Sequence, residues 1–176
     1  MDFTQIRLAE MEDSEIIASL FKLVTDSMRA NNVYQWHYKY PLIEHVVKDI
    51  QHKTCYVFEI DGKIAGTITI DSNQDVQYKN VHWKYPTDTC YVIHRLGVHP
   101  SYQGRKISKT LCLYAEHLAI QNQIQYIRLD VYSLNPISNN LYGSLGYHLA
   151  DGVCFFHGNE APFNYYEKEI GSSINV

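Results

Sequence analysis

Little in this chain marks it as anything but an ordinary globular protein, and each feature it lacks removes a class. No apolar run approaches the ~20 residues that a membrane-spanning helix needs, so no membrane association is expected. The N-terminus, M-D-F-T-Q-I-R-L-A-E, has neither a basic stretch nor an apolar core. No secretory leader is therefore expected, and the compartment it implies is cytoplasmic. Four cysteines stand at 55, 90, 112 and 154 with no C-x-x-C pair. Three lie in apolar runs and read as buried free thiols in a reducing environment. The nine histidines are scattered without ligand spacing, so no metal is expected. A net charge of −4 is not the basic surplus of a nucleic-acid binder. No repeat, low-complexity tract or linker appears, which predicts a single domain over residues 1–176.

What is present is enough apolar material for a core: 45% of the 176 residues are hydrophobic. Phe3 to Leu8 reads as a strand, and Glu12, Asp13 and Ser14 offer a helix start. Ile16, Leu20, Val24 and Met28 recur every four residues and predict that helix's apolar face, with Asn31-Asn32 at its end. A second helix opens at Pro41, with Ile43, Val46, Val47 and Ile50 inward. The segments 54–60 and 63–70, joined by Asp61-Gly62, carry a hairpin signal. Residues 71–88 are polar and aromatic without periodicity and read as a loop over the sheet. A strand over 89–98, an amphipathic helix over 105–121, a strand over 126–132 and a helix over 137–145 follow, then strands near 147–156 and 163–170. The strand-helix-strand stretch 89–132 is a βαβ unit with parallel strands. The fold class is therefore α/β with a mixed sheet and helices on both faces.

The most informative stretch is V-I-H-R-L-G-V-H-P-S-Y-Q-G-R-K-I-S, Val92 to Ser108. An apolar strand ends at Val98, a proline turn follows, and a basic glycine-containing loop opens a helix. Unpaired N–H groups and the helix dipole then point at one spot, which favours phosphate. Arg105, Lys106 and Lys109 add local positive charge.

Three segments of the chain resemble the GNAT acetyltransferase superfamily. Val98 to Ser108 resembles the family loop Q/R-x-x-G-x-G/A. N-P-I-S-N-N-L-Y-G-S-L-G-Y, Asn135 to Tyr147, is similar to the family's N-x-x-A-x-x-x-Y-x-x-x-G-F/Y. The third segment is the strand-to-proline run H-R-L-G-V-H-P, and Q-W-H-Y-K-Y-P, Gln35 to Pro41, also resembles a bacterial subgroup of mostly unassigned substrate. The resemblance implies a mostly antiparallel sheet with one splayed parallel pair. It implies acetyl-CoA as cosubstrate and an amine of a small molecule or peptide as acceptor. It places Leu96, Gly97 and Val98 along the pantetheine. Gln103, Gly104, Arg105, Lys106, Ile107 and Ser108 then surround the pyrophosphate, and Asn135 meets the pantetheine arm. Lys106 and Ser108 depart from the family's small residues; a lysine at φ > 0 costs roughly 1 kcal/mol.

Tyr142 matches the family's tyrosine, and a phenol with a pKa near ~10 can protonate a leaving thiolate. Many members carry a glutamate base where Val92 stands here. His94, two residues on, matches a histidine of arylalkylamine-type members and is either the base or a core side chain. Trp36, Tyr40 and Trp83 belong to an aromatic concentration that could cage or stack an amine, and aromatics of this kind also serve as core anchors. GNAT proteins often dimerise through their terminal strands, so a homodimer is one expectation left open. The alternative to an active N-acetyltransferase is a catalytically weak acyl-CoA-binding or interaction module, motivated by Lys106, Ser108 and Val92.

Overall fold

The computed structural model describes residues 2–87, 89–156 and 158–171. In chain order its elements are β1 (Ile6–Leu8), α1 (Ser14–Ala30), α2 (Ile43–Gln51), β2 (Cys55–Ile60), β3 (Lys63–Asp71), β4 (Tyr91–Val98), α3 (Ile107–Gln121), β5 (Tyr126–Tyr132), α4 (Pro136–Ser144), β6 (His148–Cys154) and β7 (Phe163–Glu169). The seven strands run in the order β1-β2-β3-β4-β5-β7-β6, with β4 and β5 parallel and the other neighbours antiparallel. The fold class read from periodicity is the one observed. The chain divides into two compact units, one holding residues through Ile70 with His94–Tyr114, the other Asp71–Ile93 with Ala115 onward.

In the first unit, β2 and β3 form the expected hairpin. Asp61 and Gly62 both take positive φ, 50° and 70°, which is the turn that matches strand twist. Side-chain alternation gives this hairpin two faces. Cys55 and Val57 pack with Ile17, Leu20, Phe21, Val24 and Val46 of α1 and α2. On the other face, the Tyr56 ring meets Tyr114 of α3 at 5.2 Å, and a Cβ on Gly66 would meet Ile107 and Leu111 of α3. Buried on both sides, β3 reads as the continuous run I-A-G-T-I-T-I rather than as an alternation.

The apolar face of α1 is rotated from the expected one. Ile16 is 54% exposed, and Ile17, Leu20, Phe21 and Val24 are buried. A strict four-residue step drifts around a helix of ~3.6 residues per turn, so the stripe broadens into Ile17 and Phe21. In α2, Val46 and Ile50 are buried as expected, but a buried Asp49 lies between them.

In the second unit, β5 and β7 pair antiparallel over their whole lengths. Residues 71–87 cover one face of this pair and include a 3-10 turn over Val76–Asn80. The Tyr78 hydroxyl donates to Asp130 at 2.8 Å, and Tyr85 stacks on Tyr126 at 4.8 Å. The opposite face carries α4 and the C-terminal half of α3, where Lys168 pairs with Glu116 at 2.7 Å. Cys55, Cys90 and Cys112 are buried free thiols and Cys154 is half-buried. Burial pushes the Cys55 thiol up to about 11, which makes it a poor nucleophile.

Candidate active site

Two groups of expected site residues are described, one in each unit. In the first unit, β4 ends at Val98, and His99 N–H donates to Ala65 O at 2.9 Å. A 3-10 turn over Pro100–Tyr102 follows, capped by the His99 ring, which accepts from Ser101 N at 3.2 Å. Gly104 then takes φ 79° and Lys106 φ 63°. The left-handed residue at 106 is a lysine. Its carbonyl accepts the amide of Thr110 at 3.0 Å, and α3 begins at Ile107. The N–H groups of Ile107, Ser108 and Lys109 therefore lie ahead of the helical ladder, as anion-binding groups do. Ile107 is buried and anchors this turn, while Gln103, Gly104, Arg105 and Lys106 are exposed and Ser108 half-buried. The Arg105 guanidinium lies 5.3 Å over the Tyr102 ring.

Upstream of the loop, β4 carries a feature that the sequence reading missed. Arg95 has φ 48° inside the strand. Left-handed backbone at a non-glycine residue costs on the order of 1–3 kcal/mol and persists only when its surroundings hold it. Gly97, in contrast, faces α1: a Cβ there would lie 3.3 Å from Leu20 and 3.4 Å from Phe21. Gly97 thus serves close packing, and the left-handed backbone sits two residues before it. The Arg95 Nε and Nη2 donate to Asp49 at 2.8 and 2.7 Å, and Nη1 donates to the Tyr40 hydroxyl at 3.1 Å. Thr69 Oγ1 donates to the same carboxylate at 2.8 Å. Two signals for this network were present: an arginine inside V-I-H-R-L-G-V, and an aspartate on the inward stripe of α2.

In the second unit, Asn135 is buried and caps α4, its Oδ1 accepting Ser138 N at 3.1 Å. Tyr142 lies two turns on, buried, with its ring 5.8 Å from Tyr147 and 6.1 Å from Tyr166. Asn139 ties α4 down between them. Its amide N donates to the carbonyls of Tyr132 and Asn135 at 3.0 and 2.7 Å. Its oxygen accepts from Asn164 at 3.0 Å and from Tyr166 at 2.9 Å. Burial raises the pKa of Tyr166, which keeps it a donor.

The remaining candidates are distributed as follows. His94 is half-buried next to Arg95. Trp36 is a core side chain packed edge-on to Phe21 at 5.2 Å. Tyr40 is half-buried within the Arg95 network. Trp83 donates its indole N–H to Tyr78 O at 3.0 Å, and Arg128 lies 4.2 Å over its ring. No group of three or more His, Cys, Asp or Glu side chains suited to a metal occurs among the described residues. Among them, too, no helix is long and apolar enough to cross a membrane.

The model of the acetyltransferase (GNAT) family matches residues 17–147. The chain belongs to the GNAT acetyltransferase family. A Staphylococcus aureus Mu50 protein provisionally called an acetyltransferase is 28% identical, with 94% of this chain and 99% of that one covered and a TM-score of 0.74. A GNAT-family acetyltransferase from Streptococcus agalactiae is 20% identical, covers 94% of each chain and reaches a TM-score of 0.80. An N-acetyltransferase from Thermoplasma acidophilum, solved in complex with coenzyme A, is 19% identical over 93% of this chain and 97% of that one, with a TM-score of 0.68. No curated protein matches the chain.

Proposed function

We propose that the protein transfers the acetyl group of acetyl-CoA to a primary amine of a small molecule or peptide by direct attack in a ternary complex. The observation that carries this reading is the loop at the start of α3. It keeps the left-handed conformation at residue 106 although a lysine stands there. A strained exposed residue is retained where a ligand uses the backbone it shapes. The amides of Ile107, Ser108 and Lys109, with Gln103, Arg105 and Lys106, form the pyrophosphate-binding group, and each charge-assisted hydrogen bond there contributes about 1.5–3 kcal/mol. That exceeds the strain of one left-handed lysine. Leu96, Gly97 and Val98 lie along the pantetheine, and Asn135 contacts its arm. That the Thermoplasma protein was solved with coenzyme A supports the choice of donor.

In the reaction, the neutral amine attacks the thioester carbonyl, the C–S bond breaks, and the thiolate takes a proton. Tyr142 supplies that proton as general acid. His94 accepts the proton that the amine loses, directly or through water. Of the aromatic candidates, Tyr40 is retained for the acceptor side, and Trp36 and Trp83 are assigned to packing. The test is release of free thiol from acetyl-CoA with a panel of amines. Wild type should turn over at least one amine, and Tyr142→Phe should lower kcat by about 100-fold or more without weakening coenzyme A binding. Equal rates in the two proteins would remove Tyr142 as the acid.

A further inference from the structure

In the first unit the side chains of Arg95 and Thr69 converge on the buried carboxylate of Asp49, Tyr40 bonds the same arginine, and the family motifs name none of these contacts. Asp49 is held between Val46 and Ile50 on the inward side of α2, with its side chain 9% exposed and that of Arg95 13% exposed. An apolar residue would fill that position on the stripe at lower desolvation cost. The carboxylate instead receives the Nε–Nη2 edge of the Arg95 guanidinium and the hydroxyl of Thr69 from the neighbouring strand. The third guanidinium nitrogen reaches Tyr40. Helix α2, strand β3 and the residue before Pro41 are thereby fastened to a single side chain of β4. That side chain belongs to the residue with φ 48°.

The coincidence has a mechanical meaning. A left-handed residue breaks the two-residue alternation of a strand, so everything after it changes face. With that backbone in place, Gly97 faces Leu20 and Phe21 of α1, which an added Cβ would press at 3.3 and 3.4 Å. If Arg95 relaxed to extended backbone, Leu96 or Val98 would be turned toward that surface and the carbonyls and amides after residue 95 would reverse direction. We infer that Asp49 and Arg95 are positioning residues: the ion pair pins the left-handed backbone at Arg95, and that backbone aims Leu96, Gly97 and Val98 at the acyl donor. This rests on the acetyl-transfer reading above. Thr69 and Tyr40 complete the clamp by fixing the carboxylate and guanidinium planes.

The test compares Arg95→Gly with Arg95→Ala, each combined with Asp49→Asn so that neither variant leaves a buried charge unpaired. Both lose the guanidinium and the ion pair. Only glycine adopts φ near 48° without strain. The Gly variant should keep a kcat about tenfold or more above that of the Ala variant. The Gly variant should also melt at the higher temperature. Equal kcat in two folded variants would overturn the inference, since the guanidinium itself or the fold alone would then account for the loss. A wild type that binds coenzyme A but acetylates no amine would overturn the functional reading, and the melting comparison would still report on the clamp.

Discussion

Two arginines interrupt the apolar strands of the parallel pair, Arg95 in β4 and Arg128 in β5, and they are held by different chemistry. Arg95 meets a carboxylate on a helix and the Tyr40 hydroxyl in the segment before that helix, and carries a strained backbone of its own. Arg128 is buried and donates to the neutral oxygens of Gln74 and Tyr85 at 2.6 and 2.7 Å, with its plane over Trp83. Its cross-strand neighbour Glu167 is buried too, and accepts the amides of Lys84 and Tyr85 at 2.5 and 3.4 Å. The first arginine joins regular elements to each other and sets the course of a strand. The second, with Glu167, supplies hydrogen bonds to a segment that has little regular structure to satisfy its own backbone. A buried arginine is thus a shaping device in one unit and a loop anchor in the other.

That contrast can be broken by truncation. Arg95→Ala leaves Asp49 buried and uncompensated, and should cost about 3–5 kcal/mol in urea unfolding. Arg128→Ala removes donors from neutral oxygens, and should cost about 1–3 kcal/mol. The reverse order would contradict the distinction. Gly66→Ala sharpens it within the first unit. The new Cβ would lie 2.9 Å from Ile107 and 3.2 Å from the Gly97 carbonyl. A loss of about 1–3 kcal/mol is expected, with weaker coenzyme A binding because Ile107 opens α3.

Two further sites should respond less. Lys106 carries the same kind of strain as Arg95 but is exposed. Lys106→Gly should therefore stabilise the ligand-free protein by about 1 kcal/mol, seen as a higher melting temperature. Destabilisation would mean that the lysine side chain is tethered as Arg95 is. The smallest effect belongs to Asp13, whose carboxyl Arg7 holds below the usual range through hydrogen bonds at 2.7 and 3.0 Å. A lowered folded pKa gives stability that is present above the unfolded value, near ~4, and is lost as pH falls through the folded one. Asp13→Asn should thus be less stable than wild type at neutral pH, and the two should converge in acid. A gap that persists at low pH would place its cause outside this ion pair.

The order of elements was legible because each segment repeats its own period: the hairpin around Asp61-Gly62, the 126–132 strand and the α3 stripe from Ile107 through Leu111 to Ala115 all fall where expected. The need for positive φ at residue 106 was legible as well, since a loop of this kind places a glycine there. The Arg95 bulge was not, because Gly97 next to it offered a simpler account and φ is not written in residue type. Asp49 was hidden by averaging: three apolar neighbours defined the stripe and the charge on it passed as exposed. Residues 71–88 carry no period, so the anchoring of Lys84 and Tyr85 through Glu167 and Arg128 emerges only from tertiary contacts.

The most direct measurement is a calorimetric titration of wild type and Lys106→Ala with acetyl-CoA. The account predicts micromolar binding by wild type and a severalfold weaker Kd in the variant, as expected if the loop holds pyrophosphate despite its lysine. No binding at millimolar acetyl-CoA would contradict it, and would leave the GNAT fold here without the donor that its loop is shaped to hold.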